Sequence, residues 1–212
     1  MDYVTHTQNS ILTASKLISK LCPEILAIPG MSSPRVRHFL NNVLEMENAR
    51  YLEIGVWMGS TFISAMYKNK PTQANCIDNF SEKNEYTACR DLFFLFCKKF
   101  LNPESYKFIE GDSFQIDISQ IKLPVNVYFY DGSHTVESQE KALIYYNDVL
   151  DDTFIYIVDD YNFPEVPLGT QSGIKKMNYH IDFETVLSAR FNGDCENWWN
   201  GLYVSVLRKK GR

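Results

Sequence analysis

The sequence is short of the features that would place it in a specialised class. It has five cysteines in 212 residues, Cys22, Cys76, Cys89, Cys97 and Cys195, an odd number with no Cys-x-x-Cys spacing. That argues against a disulfide scaffold or a zinc site and predicts reduced thiols in a cytoplasmic protein. No apolar run approaches the ~20 residues of a membrane span. The N-terminus has no basic segment leading into an apolar stretch, so no secretion signal is expected. Positive charge is also scarce: 21 Lys and Arg stand against 26 Asp and Glu, a net charge of −5. The basic residues Arg208, Lys209, Lys210 and Arg212 cluster at the C-terminus and read as a solvated tail. Neither nucleic acid nor membrane is therefore an expected partner. Repeats, low-complexity segments and linkers are missing too.

What is present is an ordinary globular balance, 45% hydrophobic and 22% charged, with 14% aromatic residues that predict a thick aromatic core. A chain of this length buries roughly 70% of its unfolded surface as one domain. Residues 10–21 space their apolar side chains as an amphipathic helix, and a second helix is expected from Pro34 to Glu47 after the Pro29-Gly30 loop. Residues 1–48 are thus read as a helical lid or cap, offering a surface for a homodimer, and 49–212 as the main domain.

From Tyr51 onward short apolar runs alternate with helical stretches. Strands are expected at 51–55, 74–78, 106–110, 125–130 and 154–158, with helices at 61–68, 84–100 and 136–150. Continuous apolar strands indicate a sheet covered on both faces, and the alternation predicts a doubly wound, Rossmann-like α/β fold with a mostly parallel sheet. Two strands without a helix between them, 179–190 and 202–209, predict an antiparallel C-terminal edge.

In such sheets ligands bind beyond the carboxyl ends of the strands. Every strand end here carries an acid: Glu53 before Gly55, then Asp78, Asp112 with Ser113, Asp131, and Asp159 with Asp160. Gly55 and Gly59 allow a sharp turn and close approach to a ligand. Asp78 follows Gly55 by 23 residues, near the spacing at which an acid meets ribose hydroxyls. Clustered carboxylates repel one another unless a cation joins them, and oxygen-only ligands favour Mg²⁺ or Mn²⁺. His134 has the intrinsic pKa of a general base and equally suits a locally bonded helix start. Trp198, Trp199 and Tyr203 read as cover for the sheet edge, Met31–Arg37 as a lid, and Gly169-Thr170-Gln171-Ser172-Gly173 as an irregular loop contacting substrate.

The series Glu53-x-Gly55-x-x-x-Gly59-Ser60, Asp78, Gly111-Asp112-Ser113 and Asp131 resembles the motifs of class I S-adenosylmethionine-dependent methyltransferases. Asp131-Gly132-Ser133-His134-Thr135 followed by Ile157-Val158-Asp159-Asp160-Tyr161 resembles the metal-dependent O-methyltransferases, macrocin-type above all and catechol-type more distantly. The resemblance covers about residues 50–175. It implies that Glu53, Gly55, Gly59 and Ser60 hold the methionine part of S-adenosylmethionine, that Asp78 binds the ribose, and that Asp112 and Ser113 lie near the adenine. It implies that Asp131, also beside the cofactor, joins Asp159 and Asp160 in holding Mg²⁺. Asp131 and His134 would be catalytic, and the acceptor a small-molecule hydroxyl, sugar-like or phenolic. The catechol type has Asn at the place of Asp160, so this ligand set is more acidic. Two other readings stay open: a metal-dependent hydrolase or oxygenase using Asp131, His134, Asp159 and Asp160, and a cofactor-binding module without catalysis.

Overall fold

The computed structural model describes residues 2–81 and 88–210. Its strands are β1 (Arg50–Ile54), β2 (Gln73–Asp78), β3 (Lys107–Glu110), β4 (Val125–Tyr130), β5 (Leu150–Val158), β6 (His180–Leu187) and β7 (Leu202–Arg208). They form one sheet in the order β3-β2-β1-β4-β5-β7-β6. The first five strands in that order are parallel; β7 runs antiparallel to β5, and β6 antiparallel to β7. The expected antiparallel edge is thus two strands wide, and the last strand in sequence is inserted inside the sheet. The helices are α1 (Tyr3–Ser15), α2 (Pro23–Leu26), α3 (Pro34–Val43), α4 (Ser60–Met66), α5 (Cys89–Phe100), α6 (Val136–Tyr146) and α7 (Glu165–Lys176). No helix among the described residues is long and apolar enough to cross a membrane.

Strand β4 shows why the sheet must be covered twice, since every one of its six residues is buried. Val127 and Phe129 enter a core with Phe39 of α3, Phe62 of α4 and Phe93 of α5. Tyr128 and Tyr130 alternate to the other face and join Leu143 and Tyr146 of α6 and Ile174 of α7. The polar strand ends are left to one edge, where the loops gather.

Two sequence expectations change. The first helix begins at Tyr3, because the Asp2 side chain caps it by accepting from the Val4 amide. It stops at Ser15, and Leu17 turns left-handed at φ 57°. This helix, α1, and α3 share one core with α4 and the sheet. The stretch Gly169–Gly173 lies inside α7 and does not form an irregular loop. A Cβ on Gly169 would lie 2.4 Å from the Val136 carbonyl, and one on Gly173 2.9 Å from the Glu140 carbonyl. The two glycines, one turn apart, let α7 lie backbone to backbone on α6. Glu140 then ties the pair by accepting from Ser172 and Lys176. That contact offsets the roughly 1 kcal/mol a helical glycine costs. The N-terminal part of the expected 84–100 helix lies outside the described residues; α5 is its remainder.

Candidate functional site

A cleft of about 960 Å³ opens at the carboxyl edge of the sheet. Its first wall is the turn after β1. Gly55 sits at φ 84°, and a Cβ there would come within 1.9 Å of the Asp131 carbonyl oxygen, so only glycine lets this turn cross the end of β4. Asp78 fixes the turn from the neighbouring strand. Its Oδ2 accepts from the amides of Val56 and Trp57, each at 2.8 Å, and its Oδ1 from that of Phe80 at 2.7 Å. The loop after β3 is held from above by α6: Tyr146 donates to the Ser113 carbonyl at 2.5 Å and Tyr145 to that of Ile116 at 2.6 Å. Within that loop Asp112 accepts from the Phe114 amide and the Gln115 side chain, both at 2.8 Å.

The far wall is built from residues distant in sequence. His134 Nε2 lies 2.5 Å from Asp160 Oδ2, and its ring stacks on Phe163 at 5.1 Å. The other Asp160 oxygen accepts from Asn200 Nδ2, also at 2.5 Å. Asp160 itself is left-handed at φ 61°, a conformation that only surrounding structure can enforce on a non-glycine residue. That structure is the turn before β7. There the amides of Tyr161 and Asn162 donate to the carbonyls of Gly201 and Asn200. The turn is anchored in turn by the N-terminal layer, with Ser33 Oγ donating to the Asn197 carbonyl and Arg35 to its side-chain oxygen.

Of the residues expected at a site, Gly55, Asp78, Asp112, Ser113, Asp131, His134 and Asp160 do line this cleft. Glu53, Gly59, Ser60 and Asp159 do not. Glu53 is fully buried, with its two oxygens accepting from the hydroxyls of Tyr51 and Thr61 at 2.5 Å each. Burial pushes its carboxyl up to about 8, against the pull of those two hydrogen bonds. Gly59 opens α4 at φ 88° against the Phe93 ring, and Ser60 is buried with its hydroxyl 3.5 Å from that of Ser32. Met31 borders the cleft, but Val36 and Arg37 of the expected lid are buried in α3. Trp198 does cover the core, edge-on to Phe39, whereas Trp199 faces the cleft. The sequence alone did not single out Asn200 and Phe163, which no spacing links to the strand-end motifs, nor Tyr130, which directly precedes Asp131 but reads as one more apolar strand residue.

The expected metal set does not assemble. Asp159 is buried, accepts from the Asp160 amide, and is pushed well above the usual carboxylate range by burial and by its neighbour Asp160. Asp160 spends one oxygen on Asn200 and the other on His134. Among the described residues no three His, Cys, Asp or Glu side chains are placed to hold an ion together. This arrangement of Asp131, Asp159 and Asp160 therefore lends no support to a bound Mg²⁺ or Mn²⁺.

No family model and no curated protein matches the chain. Solved structures do. An O-methyltransferase from Bacillus cereus, solved with S-adenosylhomocysteine, superposes at a TM-score of 0.63 with 15% identity, covering 97% of this chain and 100% of that one. The fold is that of the class I methyltransferases. The same methyltransferase fold is shared with a provisionally assigned RNA methyltransferase from Pyrococcus horikoshii, at a TM-score of 0.55, 12% identity and coverage of 96% and 97%. It is shared too with a provisionally assigned S-adenosylmethionine-dependent methyltransferase from Streptococcus mutans, at a TM-score of 0.59 and 12% identity. That match covers 82% of this chain and 48% of the other, so this chain spans about half the length of that relative.

Proposed function

We propose that this protein transfers a methyl group from S-adenosylmethionine to a hydroxyl oxygen of a small molecule that bears no anionic group. The observation that carries the reading is the His134–Asp160 pair facing the same cleft as Gly55, Asp78 and Asp112. The residues fit the cofactor: Gly55 lets the β1 turn cross the end of β4 at the edge of the cleft, and Asp78 and Asp112 present carboxylates to hydroxyl and amino donors. When bound, S-adenosylmethionine supplies a methyl group on a sulfonium, an electrophile that needs only an aligned nucleophile.

The chain's own residues would supply that nucleophile. Asp160 Oδ2 accepts from His134 Nε2, which leaves Nδ1 as the proton acceptor of the imidazole. His134 Nδ1 would take the proton of the acceptor hydroxyl and the Asp160 carboxylate would stabilise the imidazolium so formed, while the bound sulfonium would supply the methyl group and leave as S-adenosylhomocysteine. Trp57, Phe163 and Trp199 around this pair supply flat apolar walls that exclude water and favour a phenolic ring over a sugar.

The charge of the cleft restricts the acceptor further. Four carboxylates, those of Asp78, Asp112, Asp131 and Asp160, line it, and no Lys or Arg does so among the described residues. Phosphate and carboxylate groups would be repelled, which speaks against RNA and against acyl-CoA esters as substrates. A metal-dependent hydrolase finds no support in a carboxylate set that does not converge.

The test is titration calorimetry with S-adenosylhomocysteine and NAD, followed by methyl transfer from labelled S-adenosylmethionine to matched phenols with neutral, amine and carboxylate substituents. Binding of S-adenosylhomocysteine and methylation of the neutral or amine members is expected. Heat with NAD alone, or preference for the carboxylate members, would count against the reading.

A further inference from the structure

Tyr130, the last residue of β4, carries an anomaly. Its side chain is 1% exposed, yet its hydroxyl has no hydrogen-bond partner among the described residues. A buried hydroxyl left unpaired costs about 1–3 kcal/mol. Three neighbouring tyrosines avoid this, Tyr128 donating to the Ala142 carbonyl, Tyr145 to Ile116 and Tyr146 to Ser113; Tyr156 shares it, but does not line the cleft.

The position of Tyr130 tells where its partner would come from. The residue lines the cleft together with Asp112, Ser113 and Phe114, and its ring lies 6.4 Å from that of Phe114. Gly132 flanks the hydroxyl: a Cβ there would lie 2.8 Å from it. A side chain at 132 would crowd the hydroxyl from the cleft side, and the glycine leaves that approach clear of side-chain atoms. Burial and the charges of Asp131 and Asp112 raise the phenol well above its ordinary range, so it presents a proton at any physiological pH. The cleft thus offers a fixed donor beside the Asp112 carboxylate, an acceptor, and beside the flat face of Phe114. A donor and an acceptor set side by side next to an aromatic ring match the edge of an aminopurine, which alternates ring-nitrogen acceptors with amino donors.

We propose that Tyr130 is a ligand-binding residue whose hydroxyl donates to a ring nitrogen of the cofactor's adenine. The proposal rests on the cofactor reading above and adds the residue that reads the base. It explains why the protein tolerates an unpaired hydroxyl at the floor of the cleft: the partner arrives with the ligand.

The experiment compares wild-type protein with Tyr130→Phe in calorimetric titrations with S-adenosylhomocysteine and 5′-methylthioadenosine, alongside melting of the unliganded proteins. Removing the hydroxyl should weaken both ligands by a similar factor, about five- to tenfold, since both carry the purine. It should leave the unliganded melting temperature unchanged or raise it, because an unpaired buried group has been removed. Opposite signs for binding and stability are what a merely structural tyrosine would not give. Equal affinity in the two proteins, or a loss for S-adenosylhomocysteine without one for methylthioadenosine, would overturn the assignment to the adenine. Failure of wild-type protein to bind either ligand would instead overturn the cofactor reading itself.

Discussion

The two walls of the cleft are built by different means. On the side of β1, β2 and β3, Asp78 and Asp112 hold turns that lie at their own strand ends, and two tyrosines of α6 tie down the loop after β3. Asp78 takes three amides from two adjacent turns. On the side of β5 and β7, side chains hold side chains across long stretches of chain: Asn200 reaches Asp160 over 40 residues, and Arg35 reaches Asn197 over 162. The first wall is rigid because the sheet makes it so. The second depends on an N-terminal layer and a C-terminal turn meeting over it. A rigid wall suits a constant ligand, and an assembled wall suits a ligand that differs between proteins of the same fold.

The sharpest way to break this comparison is His134→Ala. It should cut the rate of methyl transfer to a confirmed acceptor by about 10²- to 10⁴-fold, the usual worth of a general base. Calorimetry should show S-adenosylhomocysteine binding almost unchanged, because the histidine belongs to the other wall. A parallel loss of cofactor affinity would show that the two walls are not separable.

Asp78→Ala attacks the first wall and should have a mixed effect. Binding of S-adenosylhomocysteine should fall at least about tenfold with the loss of a ribose acceptor. Three amides also lose their partner, so stability should fall by about 1–2 kcal/mol, or roughly 2–8 °C of melting temperature for a domain of this size. A melting curve without ligand separates the two contributions.

Glu53 lies behind the first wall and gives a pH test. Its folded carboxyl titrates at about 8 against an ordinary 4.5, so the folded state holds a proton that the unfolded chain releases earlier. Stability from this group is complete below about 4.5 and is lost as pH rises towards 8. Glu53→Gln removes the ionisation and keeps the shape. Melting temperatures of the two proteins should agree at pH 5, and the variant should be several degrees more stable at pH 9. Parallel curves across that range would show that Glu53 ionises as freely in the folded protein as in the unfolded chain.

The smallest expected effect is that of chelation. With Asp160 divided between His134 and Asn200 and Asp159 buried, EDTA should leave the rate of methyl transfer within about twofold of the untreated protein. Loss of activity that returns on adding Mg²⁺ would mean that the second wall rearranges to form an ion site.

The same contrast decides what the sequence could disclose. The sheet was legible because burial on both faces writes itself as continuous apolar runs, and the first wall of the cleft because its residues stand at strand ends. Position alone did not reveal direction, which is why Glu53 and Asp159 were expected in the cleft: each neighbours a residue that faces it, and strand residues alternate sides. The 169–173 stretch looked irregular because two glycines in five residues usually break a helix, whereas here they make room for a second one. Asn200 and Phe163 had no local signature, since their places at the cleft exist only once distant segments meet.

The glycine contact between α6 and α7 reaches further than its place on the outer surface suggests. Gly169 presses on the carbonyl of Val136, two residues beyond His134. The spacing of two outer helices is therefore also a setting on the height of the imidazole above the cleft. A methyl group added at Gly169 would act like a shim under a hinge, shifting the start of α6 and with it His134, without touching any residue that lines the cleft. Variation in this protein's activity need not be confined to its cleft; it can be written on the back of the molecule, one methyl group at a time.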